Sequence, residues 1–291
     1  MRLETPNIRT LIKAGFHFGH RTSRWNPKMG PYIFKRRNLI HIIDLRTTLR
    51  GLVLGRKLAA AVAARGQDVM FVGTKKQAQL PVAQEATRCA MPFVAERWPG
   101  GLLTNYVTIR TRLERLTELE ELEKSGAIQL YSKKMISMLR REKKKILRNL
   151  GGVRNMQRVP GLVVVVDPAK EHIALCEAQK LKVPVVALTD TDGNPDQVDV
   201  VVPGNDDSIG AIEIFLGAMA DGVLEGRASH RPAVTMARET QEALAAEFES
   251  AAAPRGAEAP APAATAQAPV APAAPEGAPG QDDPAEQKVA K

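Results

Sequence analysis

The chain has 291 residues, 44% of them hydrophobic, and a formal net charge of +9, which is enough length and apolar material for one large or two smaller packed domains and excludes a chain disordered throughout. The charge is uneven: residues 239–291 hold 9 acidic and 3 basic side chains, net −6, which leaves +15 on residues 1–238. A surplus of that size favours a polyanionic partner, because each Lys or Arg that neutralises a phosphate releases condensed counterions. A membrane partner is not expected, since no long apolar stretch, lipidation motif or basic amphipathic helix with aromatic anchors is found. The opening MRLETPNIRTLIKAG lacks the uninterrupted apolar segment of a secretory signal.

After an initial helical segment, Gly15 to Asn38 carries five of the chain's 12 aromatic residues, Phe16, Phe18, Trp25, Tyr32 and Phe34, interleaved with Arg21, Arg24, Lys28, Lys35, Arg36 and Arg37. Aromatic faces stack on unpaired bases while Lys and Arg hold phosphates, so this pattern suits irregular RNA. Pro27, Gly30 and Pro31 predict a loop here, with Phe16 and Phe18 packed beneath it and Trp25 and Asn26 among the candidate RNA contacts.

From Leu39 onward, short apolar β-branched runs recur: LIHII, DVMFVG from Asp68, PFVAE from Pro92, LVVVVD from Leu162, VPVVALTD from Val183 and VDVVVP from Val198. Between them Thr48–Ala64, Lys75–Ala90, Lys170–Leu181 and Asp207–Leu224 read as helices. The alternation predicts right-handed β-α-β crossovers and a three-layer α/β domain with a mostly parallel sheet. Two β-to-α turns, Gly73-Thr74-Lys75-Lys76 and Arg97-Trp98-Pro99-Gly100-Gly101-Leu102, are candidate phosphate sites, because helix N-termini present free N–H groups and glycine lets the backbone approach an anion. Neither a Walker loop nor a dinucleotide fingerprint is present.

Residues 105–150 break the alternation. Leu113, Leu116, Leu119 and Leu122 mark one apolar edge, Ser125-Gly126 a turn, and Met135, Leu139, Ile146 and Leu150 a second edge, which predicts an antiparallel helical hairpin or short coiled coil. Residues 105–124 hold 4 basic and 5 acidic side chains, residues 131–150 hold 8 and 1. The second arm, with Lys133, Lys134, Arg140, Arg141, Lys143, Lys144, Lys145 and Arg148, is therefore the RNA-facing candidate. At the other end, Ala (16) and Pro (8) fill 24 of residues 251–291, which predicts a disordered tail.

An enzyme is the rival reading. Asp190-Thr191-Asp192-Gly193 after an apolar strand resembles the nucleophile loop of haloacid-dehalogenase-type phosphatases, but Pro203–Asp207 follows too closely to leave room for the other elements of such a site. A structural zinc or magnesium held by Asp190, Asp192, Asp206 or Asp207 with His17 or His20, the set His20, Asp190 and Asp206 foremost, is a further candidate if the N-terminal loop folds over the carboxyl ends of the strands; Asp207 is otherwise expected to cap a helix. Cys89 and Cys176 are read as core side chains in a reducing compartment.

Four segments carry a family resemblance: HFGHRTSRWNPKMGPYIFKRRNLIHIIDL at His17–Leu45, FVGTKKQA at Phe71–Ala78, RWPGGLLTN at Arg97–Asn105, and Asp167–Asp207 throughout. The chain resembles the S-two family of small-subunit ribosomal proteins. The resemblance implies an α/β/α sandwich of flavodoxin- or Rossmann-like type over residues 1–104 and 151–230 and a protruding coiled-coil hairpin at 105–150; a helical extension is expected at 231–250, and the tail at 251–291 lies outside the usual family pattern. It also implies a non-catalytic, cytoplasmic, ribosome-associated protein that needs no cofactor or small-molecule substrate. The implied partners are 16S-type rRNA, other small-subunit proteins including S-one and, through it, mRNA. The Asp190 loop departs from the family's usual DTN pattern at Asp192 and Asn194.

Overall fold

The computed structural model describes residues 7–229; the expected helical extension and tail lie outside them. The described elements are α1 (Ile8–Lys13), β1 (Phe18–Arg21), β2 (Ile33–Arg37), β3 (Ile40–Ile43), α2 (Leu45–Ala64), β4 (Val69–Val72), α3 (Lys76–Arg88), β5 (Phe93–Val94), α4 (Tyr106–Lys124), α5 (Lys133–Leu150), β6 (Leu162–Val166), α6 (His172–Lys180), β7 (Val185–Thr189) and β8 (Val200–Pro203), followed by a helix over residues 209–229, α7.

The main sheet is parallel, in the order β5-β4-β6-β7-β8. Its strands are apolar runs because both faces are covered. Leu162, Val164 and Val166 point into one core with Leu52 and Val62 of α2, Val82 of α3 and Phe215 of α7. Val163 and Val165 point into the other with Leu175 of α6 and with Ile109, Leu113 and Leu150 from the roots of α4 and α5. The result is an α/β sandwich in three layers. Helix α7 lies close on α2: a Cβ on Gly222 or Gly226 would stand 2.5 or 2.2 Å from the carbonyl oxygens of Arg56 and Ala60, so only glycine permits this approach.

LIHII does not join the parallel sheet. It forms β3 at the centre of a separate antiparallel sheet, β1-β3-β2, and the expected loop over residues 15–38 contains β1, β2 and two 3-10 turns. The physical reason lies in β2, IFKRR, which is solvent-exposed beyond Ile33 and has no apolar face to bury in a sandwich. The β2–β3 turn places Arg37 opposite Ile40, and its two central residues, Asn38 and Leu39, have φ of 50° and 60°, the conformation of a type I′ turn.

Between β5 and β6, α4 and α5 pack side by side, joined through Gly126 at φ 74°. Leu119, Ile128 and Leu139 form a small core between them, and Arg115–Glu142 (3.5 Å) and Arg140–Glu123 (3.6 Å) cross from one helix to the other. Of the expected apolar edge on α5, Leu139 and Leu150 are buried, whereas Met135 is 39% exposed. Cys89 is buried, as expected; Cys176 is exposed on α6, away from the core.

Candidate nucleic-acid interface

The N-terminal segment folds over the carboxyl ends of the parallel strands. The His20 amide donates to Thr191 Oγ1 at 2.9 Å, and the Asn26 amide donates to the Thr191 carbonyl at 2.8 Å. Ser208 Oγ donates to the Ala14 carbonyl at 2.7 Å. Gly19 allows the approach, because a Cβ there would meet the Thr191 methyl group at 2.6 Å. Phe16 is fully buried beneath the segment. Phe18 is not, at 50% exposed, because β1 is an edge strand that turns this side chain outward.

This closure gathers five carboxylates, Asp167, Asp190, Asp192, Asp206 and Asp207, around two cations. Lys75 Nζ lies 2.7 Å from Asp206, 2.8 Å from Asp207 and 3.2 Å from Asp167. His20 Nδ1 lies 2.8 Å from Asp190, while its Nε2 lies 3.6 Å from Asp207 and 4.0 Å from Asp192. The close contact with the Asp190 carboxylate is the main cause that lifts the imidazole pKa to about 9, so the ring is a cation at neutral pH. Burial, with Asp167 and Asp190 alongside, pushes the Asp206 carboxyl up to about 7. Burial alone would lower the Lys75 ammonium, but Asp206 and its neighbours reverse that and raise it.

His20, Asp190 and Asp206 are brought together as the sequence predicts, with ligand atoms within 4.8 Å of one another. They suit an ion that accepts imidazole nitrogen and carboxylate oxygen, although His20 would have to give up its proton. Asp190 is not a nucleophile in waiting: it is 1% exposed, one oxygen faces His20 and the other accepts from the Thr191 amide. Asp207 is not the cap of α7. That position falls to Ser208, whose carbonyl accepts from the Ile212 amide, while Asp207 turns to Lys75.

Both predicted phosphate turns already hold an anion of the protein itself. In the first, Glu171 Oε1 accepts from the Thr74 amide at 2.9 Å and from its hydroxyl, and Lys75 is drawn inward as described. In the second, Glu177 accepts from Trp98 Nε1 (3.0 Å) and the amides of Gly101 (2.8 Å), Leu103 (3.0 Å) and Thr104 (3.2 Å). Burial opposes ionisation of Glu177, but these donors outweigh it and hold the pKa below the usual carboxylate value. The backbone geometry thus does fit an oxyanion, supplied by α6. Nothing local in the sequence pointed to Glu171 or Glu177, since their partners lie 97 and 79 residues away.

The remaining cations face outward. Arg21, Arg24, Lys35, Arg36, Arg37, Lys76 and Arg97 are exposed and make no ion pair among the described residues. The same holds on α5 for Lys133, Lys134, Arg141, Lys144, Lys145 and Arg148. Arg140 and Lys143 instead reach Glu123 on α4. Lys28 pairs with Asp196, and Asn26 Oδ1 accepts from the Lys28 amide at 3.0 Å, so both shape the loop. Trp25 is 40% exposed and packs beside His41 with the rings tilted by 39°, centroids 5.2 Å apart.

Residues 11–226 match the family model described as Ribosomal protein S2. A curated relative, the Small ribosomal subunit protein uS2 of Rhodopirellula baltica, is 53% identical over 220 residues, covering 76% of this chain and 85% of the relative. A closed carboxylate cluster, an outward cationic surface and a match through both layers of helices and the sheet agree: the chain belongs to the ribosomal protein S2 family and is a structural, non-enzymatic constituent of the small ribosomal subunit.

Proposed function

We propose that the protein binds 16S-type rRNA through two cationic surfaces, the β1-β3-β2 sheet with Trp25, and the outer face of α5, so bridging separate rRNA elements. The observation that carries this reading is the division of charge between α4 and α5. Glu123 of α4 engages both Arg140 and Lys143, while Lys144, Lys145 and Arg148 are exposed and make no ion pair among the described residues. A merely solvated helix face has no need of such one-sided charge, whereas many weak phosphate contacts need it. On this reading α4 and α5 form the coiled-coil arm, and neighbouring proteins, S-one with its mRNA among them, dock on the rest of the surface.

The test is sucrose-gradient fractionation of lysates that carry a Lys144→Glu, Lys145→Glu, Arg148→Glu chain. Occupancy on small subunits falls, and falls further in high salt, whereas full occupancy would remove α5 from the interface. Loss of S-one from subunits that retain the variant would separate the protein-docking role from the RNA-binding one.

A second reading concerns the carboxylate cluster. Five carboxylates face two cations, so a divalent ion that replaces the His20 proton would relieve the remaining negative charge. Zinc suits imidazole with carboxylate better than magnesium does. Zinc binding at His20, Asp190 and Asp206 would release about one proton per ion. Calorimetry in buffers of different ionisation enthalpy measures that release, and His20→Ala abolishes it.

A further inference from the structure

The sheet order β5-β4-β6-β7-β8 reverses direction at β4. From β4 the chain crosses outward to β5 and later returns to the opposite side of β4 as β6. In an open parallel sheet the crevice beyond the carboxyl ends of the strands at such a reversal is where ligands bind. Here it is a cleft of about 620 Å³, bounded by Thr74 after β4, Arg97 and Pro99 after β5, Lys170 after β6, and Arg112 and Asn149 from the α4–α5 pair. It adjoins the carboxylate cluster around His20, since the Lys170 amide donates to Asp167 Oδ1 at 3.2 Å, but shares no lining residue with it.

Three cations line it. Arg97 and Arg112 are exposed and make no ion pair among the described residues. Lys170 Nζ is held over the cleft by the Thr74 carbonyl at 3.2 Å. The turn amides are engaged by Glu171 and Glu177, so an anion would be recognised by side chains, for which paired guanidinium groups are well shaped. Glu96 also lines the cleft, exposed and without an ion pair among the described residues. Its carboxylate would repel a bare phosphate and accept from a hydroxyl or ring N–H. Pro99 and Ile173, the latter 45% exposed, offer an apolar wall. The Asn149 amide oxygen is buried and has no hydrogen-bond partner among the described residues.

We propose that this cleft takes a nucleotide, with Arg97, Arg112 and Lys170 on its phosphate and Glu96 on its ribose or base. The volume is that of a small-molecule site, and cations beside one unpaired carboxylate match a ligand that carries an anion and hydrogen-bond donors together. The ligand is either a free mononucleotide or a single nucleotide of an RNA strand. Only the second source rests on the RNA-binding function proposed above.

The test is calorimetric titration of the full chain with inorganic phosphate, adenosine monophosphate and a short single-stranded oligoadenylate. Arg97→Gln with Arg112→Gln should weaken the nucleotide probes about tenfold or more. Lys180→Gln, at an exposed cation of α6 outside the cleft lining, should leave the mononucleotide unaffected. Arg97→Lys with Arg112→Lys, which keeps the charge but not the planar fork, should fall between and guards against a misfolded glutamine variant. Loss of mononucleotide binding identifies a free-nucleotide site; loss confined to the oligonucleotide places the ligand within RNA. Failure of the wild-type chain to bind either nucleotide probe, equal binding by the arginine variants, or inorganic phosphate binding as tightly as the mononucleotide would overturn the proposal. The gradient assay on the α5 variant fails or succeeds independently of these titrations.

Discussion

Glu177 on α6 accepts a hydrogen bond from the indole nitrogen of Trp98 at 3.0 Å, and the same carboxylate closes the glycine-containing turn of the β5–α4 connection. One ionised side chain therefore ties the root of the inserted helix pair to the α/β body. Glu177→Gln keeps the size but replaces an acceptor oxygen with an amide donor facing N–H groups. We expect a loss of about 2 to 3 kcal/mol of stability, measured by urea unfolding, with an unchanged slope.

Lys75 and Lys76 are adjacent and chemically identical, yet their roles diverge. Lys75→Met leaves Asp167, Asp206 and Asp207 without their shared cation and should cost about 3 to 5 kcal/mol. Lys76→Met, on the exposed face of α3, should leave the melting temperature within about 1 °C. Thermal unfolding of the two variants side by side checks the contrast.

The cluster makes stability depend on pH. His20 has a folded pKa of about 9 against an ordinary value near 6.5. Its contribution is therefore complete below about pH 6.5 and is lost as pH rises through 9. Asp206, lifted to about 7, works in the same direction at lower pH, since the native state holds its proton more tightly than the unfolded chain does. The melting temperature should fall by several degrees between about pH 6 and pH 9.5. His20→Gln should flatten the upper part of that profile; an equally steep profile in the variant would assign the effect elsewhere.

Leu39 sits at φ 60° in the β2–β3 turn and is 71% exposed, so it bears a left-handed backbone while burying little. Leu39→Gly should stabilise the chain by about 0.5 to 1 kcal/mol, read as a rise of about 1 to 4 °C in melting temperature. A fall would mean that the Leu39 side chain makes a stabilising contact.

Local pattern was sufficient for much of the architecture. The apolar runs of β4, β6, β7 and β8 and the helices between them were legible because a strand buried on both faces must be apolar at every position, whatever its neighbours. The helix pair was legible from its leucine spacing and from Ser125-Gly126. The antiparallel sheet was not: β3 is apolar like a core strand, and only its pairing with the exposed, basic β2 assigns it to a second sheet.

The candidate site divides along the same line. Arg36, Lys144 and Arg148 could be read as outward-facing cations because they lie in runs where basic residues far outnumber acidic ones. Lys75 and the turn at Trp98 could not be read correctly. Their partners, Asp206 and Glu177, are 131 and 79 residues away, and whether a cation or a turn amide is free depends on which carboxylate the fold brings against it. Sequence alone determined the layers, the helix pair and the sign of the surface; the tertiary structure decided which charges remain for a partner, because ion pairing in a folded chain is set by distance in space.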